Sequence, residues 1–310
     1  MAGLKLFTLN GNKPLAQKIA TELGLPLSPA SVRHFADGEI QIDLDDSVRG
    51  ADVYVIQPVS DPVNENFMEL MIMIDALRRA SAHRINVVVP YYGYARADRK
   101  ARSREPITAK LVANLLQMDG IDRIVTVDLH ADQLQGFFDV PVDHLKTVSL
   151  FGRYFRNLQL GDNTVVVAPD HSGTKHAREL AELLGLPIAI VDKREVNGDA
   201  GVIGDVDGKH AIVVDDMIDT GTRISDSVTA LQAAGAQDIY AAATHAVLSR
   251  GAATRIGKLP LKQIVLTDTI EMPAEKRLAN MQILSVGPMI GQAIELIATN
   301  QSIHPLFTLD

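Results

Sequence analysis

Residues 212–223 read IVVDDMIDTGTR, which joins a short apolar run, two adjacent carboxylates and a turn that contains hydroxyl groups and a glycine. A continuous apolar run of this kind is typical of a parallel strand that is buried on both faces. Ligands of α/β sheets bind beyond the carboxyl ends of such strands. Asp215 and Asp216 are therefore expected to point into a binding site, where their oxygens can accept hydrogen bonds from neighbouring sugar hydroxyls.

The turn at residues 219–223 leads into a stretch of helical pattern at residues 225–234. Backbone N–H groups at the beginning of a helix, together with hydroxyl groups, suit a phosphate group. A site for a pentose phosphate explains the whole segment best. The alternative is an Asp-rich strand end that only caps the helix.

Short apolar runs rich in β-branched residues alternate with segments of helical period along the chain, which predicts an α/β fold with largely parallel sheets. In the first half, strands are predicted at residues 4–8, 53–57, 86–89 and 124–127, and helices at 14–23, 64–82 and 106–117. In the second half, strands are predicted at 164–168, 187–191, 211–214, 239–244 and 263–266, and helices at 174–184, 225–234 and 289–299. We expect two similar domains, residues 1–145 and 146–310, with a return of the last residues to the first domain left open.

The composition excludes several classes of protein. The 310 residues include no cysteine, which excludes disulfides, thiol nucleophiles and Cys-ligated metal sites. The formal net charge of −8 argues against general binding to nucleic acids, which need a basic surface. The chain has no signal-peptide pattern and no apolar run of about 18 residues. We expect a cytoplasmic enzyme that binds neither nucleic acid nor membrane.

A basic run at residues 94–104 stands out in this acidic protein, with five cations in the sequence YARADRKARSR. It follows a predicted strand and the sequence PYYG. Arginine forks suit phosphate oxygens, and aromatic or guanidinium planes can stack on a nucleobase. The position favours a nucleoside triphosphate as the ligand, whereas the alternative is an ordinary solvated face.

Two further strand ends carry groups that suit a divalent cation. His130 closes the strand at 124–127, and Asp170 closes the strand at 164–168. Mg²⁺ prefers oxygen ligands, so Asp170 suits it more readily than His130. The alternatives are a structural histidine at the first strand end and simple N-capping by residues 172–174 at the second.

Two loops complete the set of candidate segments. Residues 35–39, FADGE, form a turn with two acids, which by itself is a weak signal for a hairpin. Residues 192–195, DKRE, lead into a glycine-containing loop. Such a loop can act as a mobile lid that brings Lys or Arg to a transferring phosphoryl group, although the same residues also fit an ordinary exposed loop.

Together these segments closely resemble the ribose-phosphate diphosphokinase family, and the resemblance runs from Lys5 to Phe307. The stretches that carry it are FADGE, PYYGYARADRKARSREPITAKLVANLL, VDLHADQLQGFFDVPVDHL and VVDDMIDTGT. The second stretch is the most specific, because few unrelated proteins would share so long a run by chance.

The resemblance implies two phosphoribosyltransferase-like α/β domains, each with a central, mostly parallel sheet flanked by helices, and an active site between them. It implies transfer of the diphosphoryl group of MgATP to the 1-hydroxyl of ribose 5-phosphate, which gives phosphoribosyl diphosphate and AMP for nucleotide biosynthesis. It also implies a homo-oligomer, a hexamer built from dimers, in which a neighbouring subunit contributes to the active site.

The same resemblance assigns roles to individual residues. Those expected to bind ATP are Asp37, Glu39, Arg96 and Arg99, with the two acids holding the adenine across a dimer interface. Those expected to bind ribose 5-phosphate are Asp215, Asp216, Asp219, Thr220, Gly221 and Thr222. His130 and Asp170 are expected in the Mg²⁺ site, and Lys193 and Arg194 as the catalytic cations. Residues that resemble part of a regulatory anion site are Ser47, Arg49, Arg78, Arg79 and Ser81.

The sequence also departs from the usual family pattern. Ala97 replaces a common Gln, Glu195 stands where many members have Arg, and His304 stands where a second Ser of the regulatory anion site is expected. The loop after Lys193 and the turn at residues 219–222 are both shorter than usual. These departures leave two alternatives: a catalytically weak regulatory homologue, or a phosphoribosyltransferase that consumes the diphosphate. The second would leave the basic run and FADGE without a role.

Overall fold

The computed structural model describes residues 3–192 and 201–307. The strands, in chain order, are β1 (Leu4–Thr8), β2 (Ala30–His34), β3 (Ile40–Leu44), β4 (Asp52–Ile56), β5 (Arg84–Val89), β6 (Arg123–Val127), β7 (Val142–Leu145), β8 (Thr164–Ala168), β9 (Ile188–Asp192), β10 (Gly201–Ile203), β11 (His210–Met217), β12 (Ile239–His245), β13 (Leu261–Thr267) and β14 (Met281–Leu284). The helices are α1 (Lys13–Leu23), α2 (Val63–Arg79), α3 (Thr108–Asp119), α4 (Val148–Leu158), α5 (Thr174–Leu184), α6 (Thr222–Ala233), α7 (Ala252–Ile256) and α8 (Gly287–Ala298).

These elements form two compact units. The first contains the described residues up to Leu145 together with 269–271 and 286–306, and the second contains the rest. The sequence-based boundaries assign residues 146–310 to the second domain, whereas α8 packs within the first unit. Compact units in one chain do not by themselves define domains that fold alone, so the domain assignment stays a prediction.

The first unit contains a five-stranded parallel sheet in the order β1-β4-β5-β6-β7. The chain therefore moves across this sheet in one direction. Helices α2 and α3 cover one face, where Leu70, Ile74 and Leu116 are buried against the alternate strand residues Val53 and Val87. Strands with such continuous apolar runs are typical of parallel sheets with both faces covered.

Helix α8 completes the first unit from the far end of the chain by packing against α1. A Cβ at Gly291 would come within 2.7 Å of Glu22 Cγ, so the two helices approach closely at this glycine. Gln292 Nε2 donates to Glu22 Oε1 over 3.1 Å. The contact joins residues that lie far apart in the sequence.

Strands β2 and β3 form a separate antiparallel hairpin. The sequence reasoning recognised only the turn FADGE between them. The hairpin strands are half-buried or exposed, and their mixed side chains give a weaker signal than the buried strands of the main sheet.

The second unit contains a seven-stranded sheet in the order β10-β9-β8-β11-β12-β13-β14, which is parallel except for the β9–β10 pair. The chain begins at β8, moves outward through β9 and β10, and then returns to β11 beside β8. The direction of progress thus reverses between β8 and β11. The carboxyl ends of two such strands form the crevice at which α/β sheets bind ligands.

The two faces of this sheet are covered by different helices. Phe151, Phe155 and Leu180, from α4 and α5, pack with Ile212 on one face. Val228 and Leu231, from α6, belong to the core cluster on the other face. The predicted α/β class with mostly parallel sheets flanked by helices is confirmed.

Several details of the second unit differ from the sequence-based expectation, and β10, β14 and α7 were not predicted. Strand β11 continues to Met217, so Asp215 and Asp216 lie within the last residues of the strand rather than beyond it. Asp215 is opposite Ala243 of β12. Helix α4 was not predicted, although Val148, Phe151 and Phe155 have helical spacing and Gly152, a poor helix former, lies on the same buried face.

Within the described residues, no helix has both the length and the apolar character needed to cross a membrane.

Candidate functional site

The crevice of the second sheet brings two predicted site residues together through an arginine. Asp170 follows β8, Asp215 lies near the end of β11, and Arg223 lies in the first turn of α6. Arg223 Nη2 lies 2.8 Å from Asp170 Oδ1, and Arg223 Nη1 lies 3.1 Å from Asp215 Oδ2. Arg223 Nη2 also donates to Ser172 Oγ over 3.1 Å. We call these three charged residues the acid–arginine cluster.

Asp170 both caps a helical turn and carries charge into the crevice. Its Oδ1 accepts hydrogen bonds from the backbone N–H groups of Ser172 (2.8 Å) and Gly173 (3.1 Å) and from the Ser172 hydroxyl (2.5 Å). Burial acts to raise the pKa of Asp170, but the Ser172 hydroxyl, Arg223 and the two N–H groups together hold it below its usual range. The cap of this turn is therefore Asp170 itself rather than residues 172–174.

Asp215 is almost completely buried, with 3% of its surface exposed. Its Oδ1 accepts from the backbone N–H of Asp216 over 3.0 Å. Burial and the neighbouring Asp216 carboxylate raise the pKa of Asp215 well above its usual range, and Arg223 opposes them. Oδ2 lies within ion-pair distance of Arg223 but has no partner of hydrogen-bond geometry in the described residues. A buried polar oxygen without such a partner is suited to accept a hydrogen bond from a ligand.

The turn at residues 219–222 has a backbone shape that depends on glycine. Gly221 has a φ of 76°, in the left-handed region, and a Cβ there would lie 2.8 Å from Ile256 Cγ1. Thr220 Oγ1 and Thr222 Oγ1 are 3.1 Å apart. Gly221 immediately precedes α6, so the turn presents hydroxyls and the first N–H groups of a twelve-residue helix at one place.

A second arginine contacts this turn from a distant part of the chain. Arg255, in α7, donates from Nη1 to Thr222 Oγ1 over 2.6 Å and to the Thr220 carbonyl over 3.0 Å. Sequence reasoning missed Arg255 because no local pattern links it to residues 33 positions away.

No role was predicted for Arg223 from the sequence, although its position in the first turn of a helix was a signal. A cation in the first turn of a helix is unfavourable, because the N-terminal end of a helix already carries partial positive charge. Its presence there indicates nearby anions, which Asp170 and Asp215 supply.

In the first unit, Asp37 and Glu39 lie in the tight turn of the β2–β3 hairpin and are exposed. Glu39 N donates to Asp37 Oδ1 over 3.1 Å, and Phe35 N donates to the Glu39 carbonyl over 2.8 Å. Gly38 has a φ of 93°, which explains the glycine at this position. The turn therefore presents both acidic side chains to solvent on a fixed backbone.

The basic run forms an exposed loop after β5 that is anchored at both ends. Tyr92 is buried and its hydroxyl donates to the Ala109 carbonyl over 3.0 Å. Glu105 accepts from the backbone N–H groups of Ala101 and Arg102, each over 2.9 Å. In the described part of the chain, four of its cations form no ion pair with a carboxylate: Arg99, Lys100, Arg102 and Arg104. Exposure fits both the polyanion site and the solvated face.

Comparison with known proteins relates both units to one family. A model of the N-terminal domain of ribose phosphate pyrophosphokinase matches residues 4–120, and a model of the phosphoribosyl synthetase-associated domain matches residues 195–308. The chain is 56% identical over 310 residues to a putative ribose-phosphate pyrophosphokinase 2 of Lactiplantibacillus plantarum, covering 99% of this chain and 97% of the relative.

The chain belongs to the ribose-phosphate pyrophosphokinase family.

Other relatives agree with this assignment. The ribose-phosphate pyrophosphokinase of Bacillus subtilis is 50% identical over 309 residues, covering 98% of this chain and 97% of the relative. The crystal structure of phosphoribosylpyrophosphate synthetase from Mycobacterium smegmatis superposes with a TM-score of 0.93 at 42% identity, covering 96% of this chain and 99% of that one. The protein is thus a transferase of the diphosphokinase class, and its family serves nucleotide biosynthesis.

The two residues predicted for a Mg²⁺ site lie in different units. His130 follows β6 and is half-buried, and the backbone N–H of its neighbour Leu129 donates to His144 Nε2 over 2.8 Å. All the contacts of Asp170 described above converge on Oδ1, which leaves Oδ2 for a cation. The described residues hold no group of three or more His, Asp or Glu side chains arranged to bind a metal. Asp170 fits a Mg²⁺ ion that keeps several waters and is held mainly by phosphate oxygens.

Lys193 and Arg194, the expected catalytic cations, lie outside the described residues, directly after β9. Their role stays a prediction.

The residues that resemble a regulatory anion site gather at the end of α2. The arginine pair there binds one carboxylate: Arg79 Nε lies 2.7 Å from Asp75 Oδ2, and Arg78 Nη2 lies 3.3 Å from Asp75 Oδ1. The Ser81 carbonyl accepts from Gly50 N over 2.9 Å, which places the loop of Ser47 and Arg49 beside this helix end. Asp75 already neutralises part of the charge that an anion would meet, and the regulatory role stays a prediction.

Proposed function

We propose that this protein transfers the diphosphoryl group of MgATP to the 1-hydroxyl of ribose 5-phosphate, which gives phosphoribosyl diphosphate and AMP. The crevice of the second sheet supports this proposal most directly. There, buried carboxylate oxygens that suit sugar hydroxyls stand beside a turn of hydroxyls and helix N–H groups that suits a phosphate.

The sugar phosphate is proposed to bind entirely to the second unit. Asp215 and Asp216 accept hydrogen bonds from the ribose hydroxyls, and Asp215 Oδ2, which accepts no hydrogen bond from the described residues, supplies one acceptor. Residues 219–222 enclose the 5-phosphate, with the Thr220 hydroxyl and the first backbone N–H groups of α6 donating to it. Gly221 is needed because any side chain there would be strained and would meet Ile256.

The nucleotide is proposed to bind through the loop after β5 and the hairpin turn. Arg96 and Arg99 bind the triphosphate, since arginine forks match phosphate oxygens. Asp37 and Glu39 hold the adenine through its exocyclic amino group. We propose that this hairpin reaches the active site of a neighbouring copy in a homo-oligomer, a hexamer built from dimers.

The reaction is proposed to proceed without a covalent enzyme intermediate. The 1-hydroxyl oxygen of ribose 5-phosphate attacks the β-phosphorus of ATP in line, the bond from that phosphorus to the α-phosphate oxygen breaks, and AMP leaves. The hydroxyl proton passes to solvent. Positioning and electrostatic stabilisation supply most of the catalysis in such transfers.

Positive charge must meet the charge that develops during transfer. Lys193 and Arg194 are proposed to supply it. Asp170, with a contribution from His130, would hold a Mg²⁺ ion, which would supply neutralisation of the phosphate charge of ATP.

The test is an assay with ATP, Mg²⁺ and ribose 5-phosphate, in which AMP and phosphoribosyl diphosphate are separated and quantified. Equal amounts of the two products, dependent on ribose 5-phosphate, are expected. Omission of ribose 5-phosphate and its replacement by ribose are the controls. Nucleotide binding without AMP formation would contradict the proposal and support a regulatory homologue.

A further inference from the structure

Two arginines stand at the beginning of α6 with different electrostatic surroundings. Arg223 pairs with Asp170 and Asp215. Arg255 contacts only a hydroxyl and a carbonyl of the 219–222 turn, and it forms no ion pair with any carboxylate that the structure describes. An arginine is always charged, so the two guanidinium groups differ in what balances them.

The position of Arg255 is fixed by the fold. Leu248 N donates to the Ile218 carbonyl over 2.9 Å and Ser249 N donates to the Asp219 carbonyl over 3.1 Å, so the segment before α7 lies along the turn. Ile256, the next residue after Arg255, is buried and packs at the point where Gly221 has no side chain. These contacts place the guanidinium beside the turn.

The hydrogen-bond directions in the turn follow from the chemistry of arginine. Arg255 can only donate, so Thr222 Oγ1 accepts from it. The proton of Thr222 can then point toward Thr220 Oγ1, 3.1 Å away. The backbone N–H of Thr222 also faces Thr220 Oγ1 over 3.4 Å. With these donors directed at its oxygen, the Thr220 hydroxyl is left with its own proton to donate, which suits an anion.

The charge around the turn also calls for an anion. The first turn of α6 contributes partial positive charge, and Arg255 adds a full charge beside it. In the acid–arginine cluster, the carboxylates of Asp170 and Asp215 offset the positive charge of Arg223. At the 219–222 turn, no described carboxylate pairs with Arg255, so a bound anion would complete the balance.

We propose that Arg255 is a phosphate-binding residue that recognises the phosphate monoester of the sugar substrate at the 219–222 turn. The inference rests on the proposed function and adds a residue to its sugar-phosphate site. Arg255 contributes direct charge to the phosphate and, through Thr222, orients the Thr220 hydroxyl toward it.

The test measures ribose 5-phosphate affinity by calorimetry and the steady-state constants for the wild type, Arg255→Met, Arg255→Lys and Arg250→Met. Arg250 is the matched control, since it lies in the same segment, is exposed and forms no side-chain hydrogen bond or ion pair with described residues. A lost hydrogen bond to a charged group predicts that Arg255→Met weakens ribose 5-phosphate binding by about tenfold or more. KM for ribose 5-phosphate should rise equally, with kcat at saturation nearly unchanged, because the phosphate is remote from the reacting hydroxyl.

Arg255→Lys should retain part of the affinity, because lysine keeps the charge but loses the fork. Arg250→Met should match the wild type. Wild-type affinity in Arg255→Met, an equal loss in Arg250→Met, or a fall in kcat at unchanged KM would each overturn the inference. If Arg255→Met has a lowered unfolding midpoint, the result for Arg255→Lys decides. The inference would be overturned if Arg255→Lys binds ribose 5-phosphate with the affinity of the wild type and with the same dependence on ionic strength. Absence of AMP formation by the wild type would instead refute the proposed function.

Discussion

The two sheets of this protein differ in how the chain crosses them and in the charge at their carboxyl edges. In the first sheet the chain moves steadily from β1 to β7, and the prominent charged element at its edge is a long loop with cations. In the second sheet the chain reverses between β8 and β11, and the edge there carries buried and half-buried carboxylates. The reversal separates the helices that follow these strands onto opposite faces, which opens a crevice.

The comparison shows two ways to build a site on similar sheets. A reversal point supplies a crevice in the sheet itself, so rigid strand ends can hold a small sugar. A sheet without a reversal relies on a loop, which is better suited to an extended, highly charged group. The following changes test this division.

The largest expected effect comes from Lys193, which lies outside the described residues. If the described groups at the two edges alone carried the reaction, Lys193→Ala would leave turnover unchanged. We expect kcat to fall by about 10²–10³, the usual loss for one preorganised group that stabilises developing charge, with ATP affinity nearly unchanged. Single-turnover kinetics measure the effect on turnover, and a nucleotide-binding assay measures the effect on ATP affinity. Lys258→Ala, an exposed change elsewhere, is the control, and near-normal turnover would remove Lys193 from the mechanism.

The second effect is on stability. Arg223→Met leaves the buried Asp215 carboxylate without its cation, which should cost about 3 kcal/mol of unfolding free energy. Denaturant unfolding measures it, and Arg153→Met, an exposed change on α4, is the control. The double variant with Asp215→Asn should recover most of the loss, because the uncompensated charge is then absent. Additive losses would show that the two residues do not form a coupled pair.

The third effect concerns the first edge. Arg99→Met should raise the KM for ATP by about tenfold through the lost charge-assisted hydrogen bonds, while the KM for ribose 5-phosphate stays unchanged. Both constants are measured on the same preparation, with Arg153→Met as the control. Equal rises in both would mean that the loop does not serve the nucleotide alone.

The smallest effect is a difference in pH dependence. The folded state raises the pKa of Asp215, so between the ordinary Asp pKa of about 3.9 and the raised value the folded protein binds more protons than the unfolded one. Its contribution to stability is therefore most favourable at low pH and falls as pH rises through this window. Asp215→Asn removes this dependence.

Thermal unfolding across that pH range should show Asp215→Asn gaining on the wild type as pH rises. A constant difference between the two proteins at every pH would contradict the raised pKa.

Much of the fold could be predicted from the sequence because buried parallel strands are continuous apolar runs. The strands at 4–8 and 164–168 and the helix at 174–184 have the predicted bounds. The half-buried strands β2 and β3 lack this simple pattern and were not predicted, and α4 was missed although its apolar residues have helical spacing.

The site was predictable only where its residues lie close together in the sequence. Asp215, Asp216 and the 219–222 turn share one segment, and the structure adds Asp170 through the reversal between β8 and β11. Arg255 and the pairing of Arg223 depend on tertiary contacts, which no local pattern encodes. The assignments that rest on the family resemblance alone, among them Lys193 and the regulatory residues, stay predictions.

The packing of α8 on α1 bears on how the protein is made. All strands of the first sheet are translated before residue 146, yet the unit lacks its last helix until residues 287–298 have been synthesised. By then every strand of the second sheet has been made. The unit whose synthesis begins first is thus completed last. The face of α1 that α8 covers therefore stays without its partner helix during most of the synthesis of the chain, when exposed apolar surface favours aggregation.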